Sequence, residues 1–262
     1  FGAEMSDNER NGTLASVALV YRTVNAAGCL EIYWVRRAEH LAFLGGFWAF
    51  PGGRVEAIDR TEGAKAALVA ACARELAEET GLAVPADDAH FVFAGRTVTP
   101  AWMPAAHRFD ASYFLVEAPA GQCPDVAGSR GELSEGQLIT PERALASWQS
   151  STNFVSPVGV ALLRALARPP GHAPDCAVDP AVTARALDAV AAERSHELVP
   201  GVRVCSLRTP TLPPATHTNC YSWAARNSCS SIPPAPTKMS RRRSTVCWPE
   251  SSRAVANCAK SG

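Results

Sequence analysis

One stretch limits what this chain can fold into more than any other: Arg74-Glu75-Leu76-Ala77-Glu78-Glu79-Thr80-Gly81-Leu82. It closes a run over 62–79 that is rich in Ala, Leu and Glu, lacks proline, and reads as a helix. Gly81 follows directly as a natural C-cap. On such a helix Glu75 stands three residues from Glu78 and four from Glu79, so the three carboxylates project to one side. Like charges placed this way repel by roughly a few tenths of a kcal/mol per pair. A purely structural helix gains nothing from that repulsion. A hard divalent cation, Mg²⁺ or Mn²⁺, would relieve it, because it takes several oxygen ligands. Leu76 lies on another face and can enter a core, and Arg74 can hold a neighbouring carboxylate in one rotamer. A solvated helix with a charge cluster would explain the acids alone. Upstream, however, Pro51-Gly52-Gly53 must turn the chain sharply, which lets backbone approach a ligand and leaves carbonyls for a metal shell.

The rest of the chain supplies a scaffold for that helix. Residues 14–21 and 30–36 read as strands separated by a turn at Asn25–Gly28, and 90–94 and 111–117 as further strands. Pro141–Trp148 and Pro157–Leu166 read as helices with proline in the first turn. Residues 169–176 are a linker, 180–193 fit one more helix, and Val199–Leu207 a short strand. From Ser222 the periodicity ends, and Ser, Arg, Cys and Pro dominate. That composition cannot build a core and predicts disorder.

Charge and cysteine usage exclude several classes. Formal net charge is +0, with 25 basic and 25 acidic residues, but 222–262 hold seven of the basic residues and one acid. The body, left with 18 basic and 24 acidic residues, is mildly acidic, which argues against nucleic acid as its partner. The nine cysteines show no metal spacing, and Cys29, Cys72 and Cys123 read as free thiols of a reducing, cytoplasmic compartment. The apolar run Leu14–Tyr21 is too short to span a membrane, so no membrane partner is expected.

Phe50-Pro51-Gly52-Gly53 followed by the 74–82 stretch resembles the Nudix box, G-x5-E-x7-R-E-U-x-E-E-x-G-U with U aliphatic. The second half matches at every position. The first half departs: Gly53 lies twenty-one residues before Arg74 instead of fourteen, and the position eight before Arg74 is Ala66, not an acid. Glu56, Asp59 and Glu62 are the acids nearest that place. The lengthened box and the phrase from Phe50 through Val55, Glu56 and Asp59 resemble the branch containing the peroxisomal coenzyme A diphosphatases, as does Arg108-Phe109-Asp110 before an aromatic strand.

The resemblance covers about residues 12–168 and implies an α/β fold, a Nudix α/β/α sandwich with a mixed β-sheet, followed by an irregular C-terminal extension. It implies a metal-dependent hydrolase that cleaves the diphosphate linkage of a nucleoside diphosphate derivative, coenzyme A or acyl-coenzyme A first. The alternatives are an ADP-ribose or dinucleotide pyrophosphatase, or a non-catalytic Nudix-fold nucleotide-binding module. Glu78 and Glu79 would be metal ligands, Glu75 a ligand or the group polarising water, and the Gly53 carbonyl a completing ligand. A further carboxylate is expected on a later loop, from Glu135 or Glu132. Arg36, Arg37 and Arg54 are candidates for phosphate contact. Of Phe47 and Trp48, one is expected to stack on a base and the other to fill the core. A homodimer is among the assemblies such a domain allows. Residues 169–196 would be linker and helix. Residues 197–221 resemble a linker and the opening strand of a metallo-β-lactamase-like domain whose metal motif is absent. Residues 197–262 are thus expected to be a remnant or disordered tail, with a composition like a GC-rich reading frame translated out of register.

Overall fold

A long apolar strand of twelve residues, β1 (Thr13–Val24), organises the sheet in this computed structural model. The structure describes residues 12–24, 29–60, 63–99, 108–167, 178–193, 195–208 and 217–223. All belong to the first of two units, Phe1–Arg226, the second being Asn227–Gly262. After β1 come β2 (Cys29–Arg37), the short β3 (Trp48–Ala49) and β4 (Gly52–Arg54), a single 3₁₀ turn at Ala57–Asp59, and the helix α1 (Ala64–Thr80). Then follow β5 (Val92–Val98), β6 (Phe109–Glu117), β7 (Leu133–Ile139), α2 (Pro141–Gln149), α3 (Pro157–Leu166) and α4 (Pro180–Ala192). The described chain ends with β8 (Ser195–Val199), β9 (Val202–Arg208) and β10 (His217–Trp223).

The first seven strands form one sheet of order β3-β2-β1-β6-β5, with β4 on β1 and β7 on β2. β1 and β6 run parallel, from Thr13 opposite Phe109 to Tyr21 opposite Glu117. The other pairings are antiparallel, so the sheet is mixed. Strand alternation sends side chains to two cores. Ala18, Val20, Tyr33, Val35, Phe114 and Val116 meet Val69, Cys72 and Leu76 of α1 on one face. Leu19, Ile32, Trp34, Tyr113 and Leu115 meet Ala144 and Trp148 of α2, Val160 and Leu163 of α3, and Leu187 of α4 on the other. Helices therefore cover both faces, and the expected α/β/α sandwich with a mixed sheet is the fold found.

Most elements lie where the sequence puts them, and two segments differ. β7 occupies a segment read as loop, because four of its seven residues, Ser134 to Gln137, are exposed and show no alternation. The strand expected over Val199–Leu207 is broken by a turn at Pro200-Gly201, where Gly201 takes φ +80, so a hairpin forms instead. With β10 it makes a separate three-stranded antiparallel sheet. The tail predicted to be disordered from Ser222 begins inside β10, which holds Ser222 and Trp223; the rest of it, the predicted turn at 25–28 and the linker at 169–176 lie outside the described residues. Among the described residues no helix is long and apolar enough to cross a membrane.

Candidate active site

The site is assembled where the glycine turn meets the acidic face of α1. Gly81 ends the helix in the left-handed conformation, φ +71, and its N–H donates to the Ala77 carbonyl. Leu76 is fully buried and fixes the rotation of the helix, which turns Glu75 and Glu79 towards β4. The Gly52 N–H donates to Glu79 Oε2 at 2.8 Å. Gly53 abuts Glu75 so closely that a Cβ there would lie 2.3 Å from its carboxylate oxygen. One glycine turn thus grips two of the three acids.

Arg74 ties the rest together. Its Nε and Nη2 donate to Asp59 Oδ1 and Oδ2 at 2.8 and 2.9 Å, a bidentate pair. Nη2 also donates to the Arg54 carbonyl at 3.1 Å, and Nη1 to Glu75 Oε1 at 3.0 Å. Glu78 Oε2 stands 3.5 Å from Nη1, on a half-exposed side chain. Asp59 is buried and receives the Glu56 N–H as well, at 2.8 Å.

Asp59 therefore takes the place of the first acid of the box. Counting back from Arg74 leads to Ala66, which is exposed on α1. Counting forward from Gly53 leads, six residues on, to Asp59, and the extra residues fall between it and Arg74. Glu56 contributes its N–H, and Glu62 lies outside the described residues.

Electrostatics follow from burial and neighbours. The Arg74 hydrogen bonds hold the Asp59 carboxyl below its ordinary value. Burial pushes Glu79 up to about 7, the Gly52 N–H and Arg37 oppose this, and the charges of Glu75 and Glu132 add to it. Burial also raises Glu75, against the pull of Arg74. Glu132 is thus the loop acid whose charge reaches both helix carboxylates. Its carbonyl accepts the Ala38 N–H at 2.9 Å, which pins it to the end of β2. Glu135 sits on β7 opposite Arg36, with 3.9 Å between their charged groups.

The other residues singled out in the sequence divide. Arg37 faces Glu79 electrostatically, and its Nε donates to the Phe43 carbonyl at 3.2 Å. Arg36 is engaged by Glu39 at 2.9 Å. The Arg54 guanidinium lies 5.6 Å above the Phe109 ring. Trp48 is buried and stacked on Trp34 with centroids 4.6 Å apart, so it is the core member of its pair and has no ring face to offer a base. Phe47 is half-buried against Phe154, at 5.7 Å.

A family model described as the NUDIX domain matches residues 13–155. No curated protein matches the chain significantly. Among solved structures, a NUDIX hydrolase from Alicyclobacillus acidocaldarius is similar, with 26% identity and a TM-score of 0.50 over 59% of this chain and 90% of that one. The NUDIX domain of Shewanella oneidensis NrtR, solved with ADP ribose, is 17% identical with a TM-score of 0.40, over 56% of this chain and 79% of that one. An Ap4A hydrolase from C. elegans is 15% identical with a TM-score of 0.37, over 51% and 84%. Because the matched segment is more than half of the 262 residues and spans the sheet and the carboxylate helix described above, the chain belongs to the NUDIX domain family and is a Nudix hydrolase.

Proposed function

We propose that this Nudix hydrolase cleaves the diphosphate linkage of a nucleoside diphosphate derivative with the help of Mg²⁺ or Mn²⁺, and that coenzyme A or an acyl-coenzyme A is the substrate. The observation that carries the reading is the grip of one glycine turn on two helix acids: Gly52 N–H on Glu79 and the Gly53 backbone against Glu75. The donor set suits a hard cation, being all oxygen. Glu75, Glu78, Glu79 and the Gly53 carbonyl would hold it. Among the described residues no three Asp, Glu, His or Cys side chains form a ready-made metal cage. Mg²⁺ does not require one, since it keeps several waters and uses one or two carboxylates. The buried Glu79 and the partly buried Glu75, both raised by desolvation, would be stabilised as anions by a cation at this place. Once bound, the ion screens the diphosphate and activates water.

The chain's own residues then have distinct tasks. Arg74, locked by Asp59, holds the Glu75 carboxylate in one orientation. Glu75 and Glu132 are the acceptors for the proton of the attacking water, Glu132 being favoured over Glu135 because its charge reaches the helix acids. Arg37 and Arg54 neutralise phosphate oxygens. Coenzyme A comes first among substrates because the glycine phrase of the coenzyme A diphosphatase branch ends on Asp59, the residue that anchors Arg74.

The test is product-resolved hydrolysis of coenzyme A, acyl-coenzyme A, ADP-ribose, NADH and diadenosine polyphosphates with Mg²⁺ and Mn²⁺, with Glu78→Gln as control. Cleavage of coenzyme A to 4′-phosphopantetheine and 3′,5′-ADP, reduced at least about 100-fold in the control, is the expected result. Cleavage of another member keeps the mechanism and replaces the substrate. Hydrolysis of none, by folded protein with metal, overturns the reading.

A further inference from the structure

Beside the glycine turn lies a pair of rings bracketed by two arginines, none of it required to position the carboxylates. Arg54 directly follows Gly53, and its carbonyl is held by Arg74. Its side chain is exposed, makes no ion pair among the described residues, and rests over the half-buried Phe109 ring at 5.6 Å. Phe43 lies 5.6 Å from Phe109, tilted by 41°. The Phe43 carbonyl accepts from Arg37, whose charge reaches Glu79. The order Arg54, Phe109, Phe43, Arg37 therefore forms an arc whose two ends both return to the carboxylate helix.

We propose that Phe109 is the platform on which the nucleobase of the substrate stacks, with Phe43 extending it and Arg54 moving from ring to phosphate as the base arrives. This rests on the reading of the site as a nucleoside diphosphate hydrolase and adds the residue that recognises the base. Three features support it. The Phe109 backbone is fixed, since its N–H donates to Thr99 Oγ1 at 3.0 Å and its carbonyl accepts the Thr99 N–H at 2.8 Å. A platform must be preorganised in this way. The π face holds a cation, and an exposed guanidinium over this half-buried ring is weakly held, so a flat base can replace it. The released guanidinium is then one residue from the glycine turn, where the phosphates must lie. The two aromatics expected from sequence do not compete: Trp48 is buried on Trp34, and Phe47 packs on Phe154, with no cation over either among the described residues.

The experiment compares AMP with ribose 5-phosphate, which differ only in the base, by calorimetry in Mg²⁺ on the full chain. Wild type is expected to bind AMP about tenfold more tightly. Phe109→Leu keeps the apolar contact with the core and removes the π face; it should bring AMP to within about twofold of ribose 5-phosphate while leaving ribose 5-phosphate unchanged. Phe43→Leu should fall between. Where the wild type turns over a substrate, Phe109→Leu should raise KM by about the same factor and leave kcat within about twofold. Equal binding of the two ligands by wild type overturns the platform, as does a full AMP preference in folded Phe109→Leu. A protein that hydrolyses nothing, yet loses its AMP preference in Phe109→Leu, overturns the hydrolase reading and leaves the platform standing.

Discussion

The Arg74 guanidinium serves a bidentate carboxylate, a second carboxylate and a carbonyl at once, and the residue it depends on is Asp59. With its side chain only 3% exposed, Asp59 has little solvent to replace a lost partner. Asp59→Asn keeps the shape but removes the charge that holds Arg74. The expected cost is about 3 kcal/mol at neutral pH, the usual scale for opening a buried pair. Orientation of Glu75 goes with it, so activity should fall roughly 10- to 100-fold, as for other residues that act through a ligand. The pH dependence has a definite sign. The Asp59 carboxyl is held below its ordinary 3.8, so its contribution is present above that value and is lost as pH falls through the lowered one. Urea unfolding of wild type and Asp59→Asn should therefore differ fully at pH 7 and converge as pH falls below about 4. A constant gap across that range would show the loss to be packing alone. The carboxylate helix was legible from spacing, since Glu75, Glu78 and Glu79 share a side in any helix. Asp59 was not singled out: the lengthened segment hides it from anyone counting back from Arg74, although counting six residues forward from Gly53 reaches it.

At the level of elements, the glycine turn does two separable things. Gly52 has φ +154, and a Cβ there would meet the Ser16 carbonyl at 2.3 Å and Val17 Cα at 2.7 Å, both backbone of β1. Gly53 would meet only the end of a flexible side chain, Glu75. Gly52→Ala should therefore attack the β1–β4 seam and cost about 3 kcal/mol or more. Gly53→Ala should leave the melting temperature nearly unchanged while displacing Glu75, lowering kcat roughly 100-fold. Thermal melts and hydrolysis rates measured side by side check the split; equal damage to stability in both would remove the distinction between seam and site. The same logic of local against distant contact explains which elements could be read. β1, β2 and β6 carry continuous apolar runs buried on both faces, and α1 has a composition and a cap that announce it. β7 is an outer strand with Glu135 and Gly136 exposed, so no buried face marks it, and Glu135 was expected on a loop when it lies in a ladder opposite Arg36.

Across the whole molecule, the matched segment ends at 155, yet the sandwich does not. Gly95 of β5 is shaped for a partner beyond it: a Cβ there would lie 2.7 Å from Leu187 Cδ1 and 3.0 Å from Ala184 Cα, both on α4. Leu187 and Val190 are buried there, and Thr183 completes its buried face. The helix expected over 180–193 is present, but its seat on β5 was not legible, because it depends on a missing side chain nearly a hundred residues away. α4 is thus a working layer of the domain. The hairpin sheet β8–β10 stands differently: β8 is half-buried throughout, and among the described residues ion pairs reach back from Glu197 to Arg164 of α3 at 3.5 Å and from Arg203 to Glu193 at the end of α4 at 3.4 Å. A chain ending at 193 should therefore keep its melting temperature within a few degrees and its hydrolysis within about twofold. One ending at 167 uncovers β5 and α3 and loses the burial of Leu187 and Val190, about 3–5 kcal/mol. If the shorter chain proved as stable as the longer, α4 would be an appendage and the fit of Gly95 to Leu187 would carry no energy. If the chain ending at 193 lost stability or activity as well, the boundary of the working domain would have to be moved outward to include the β8–β10 sheet.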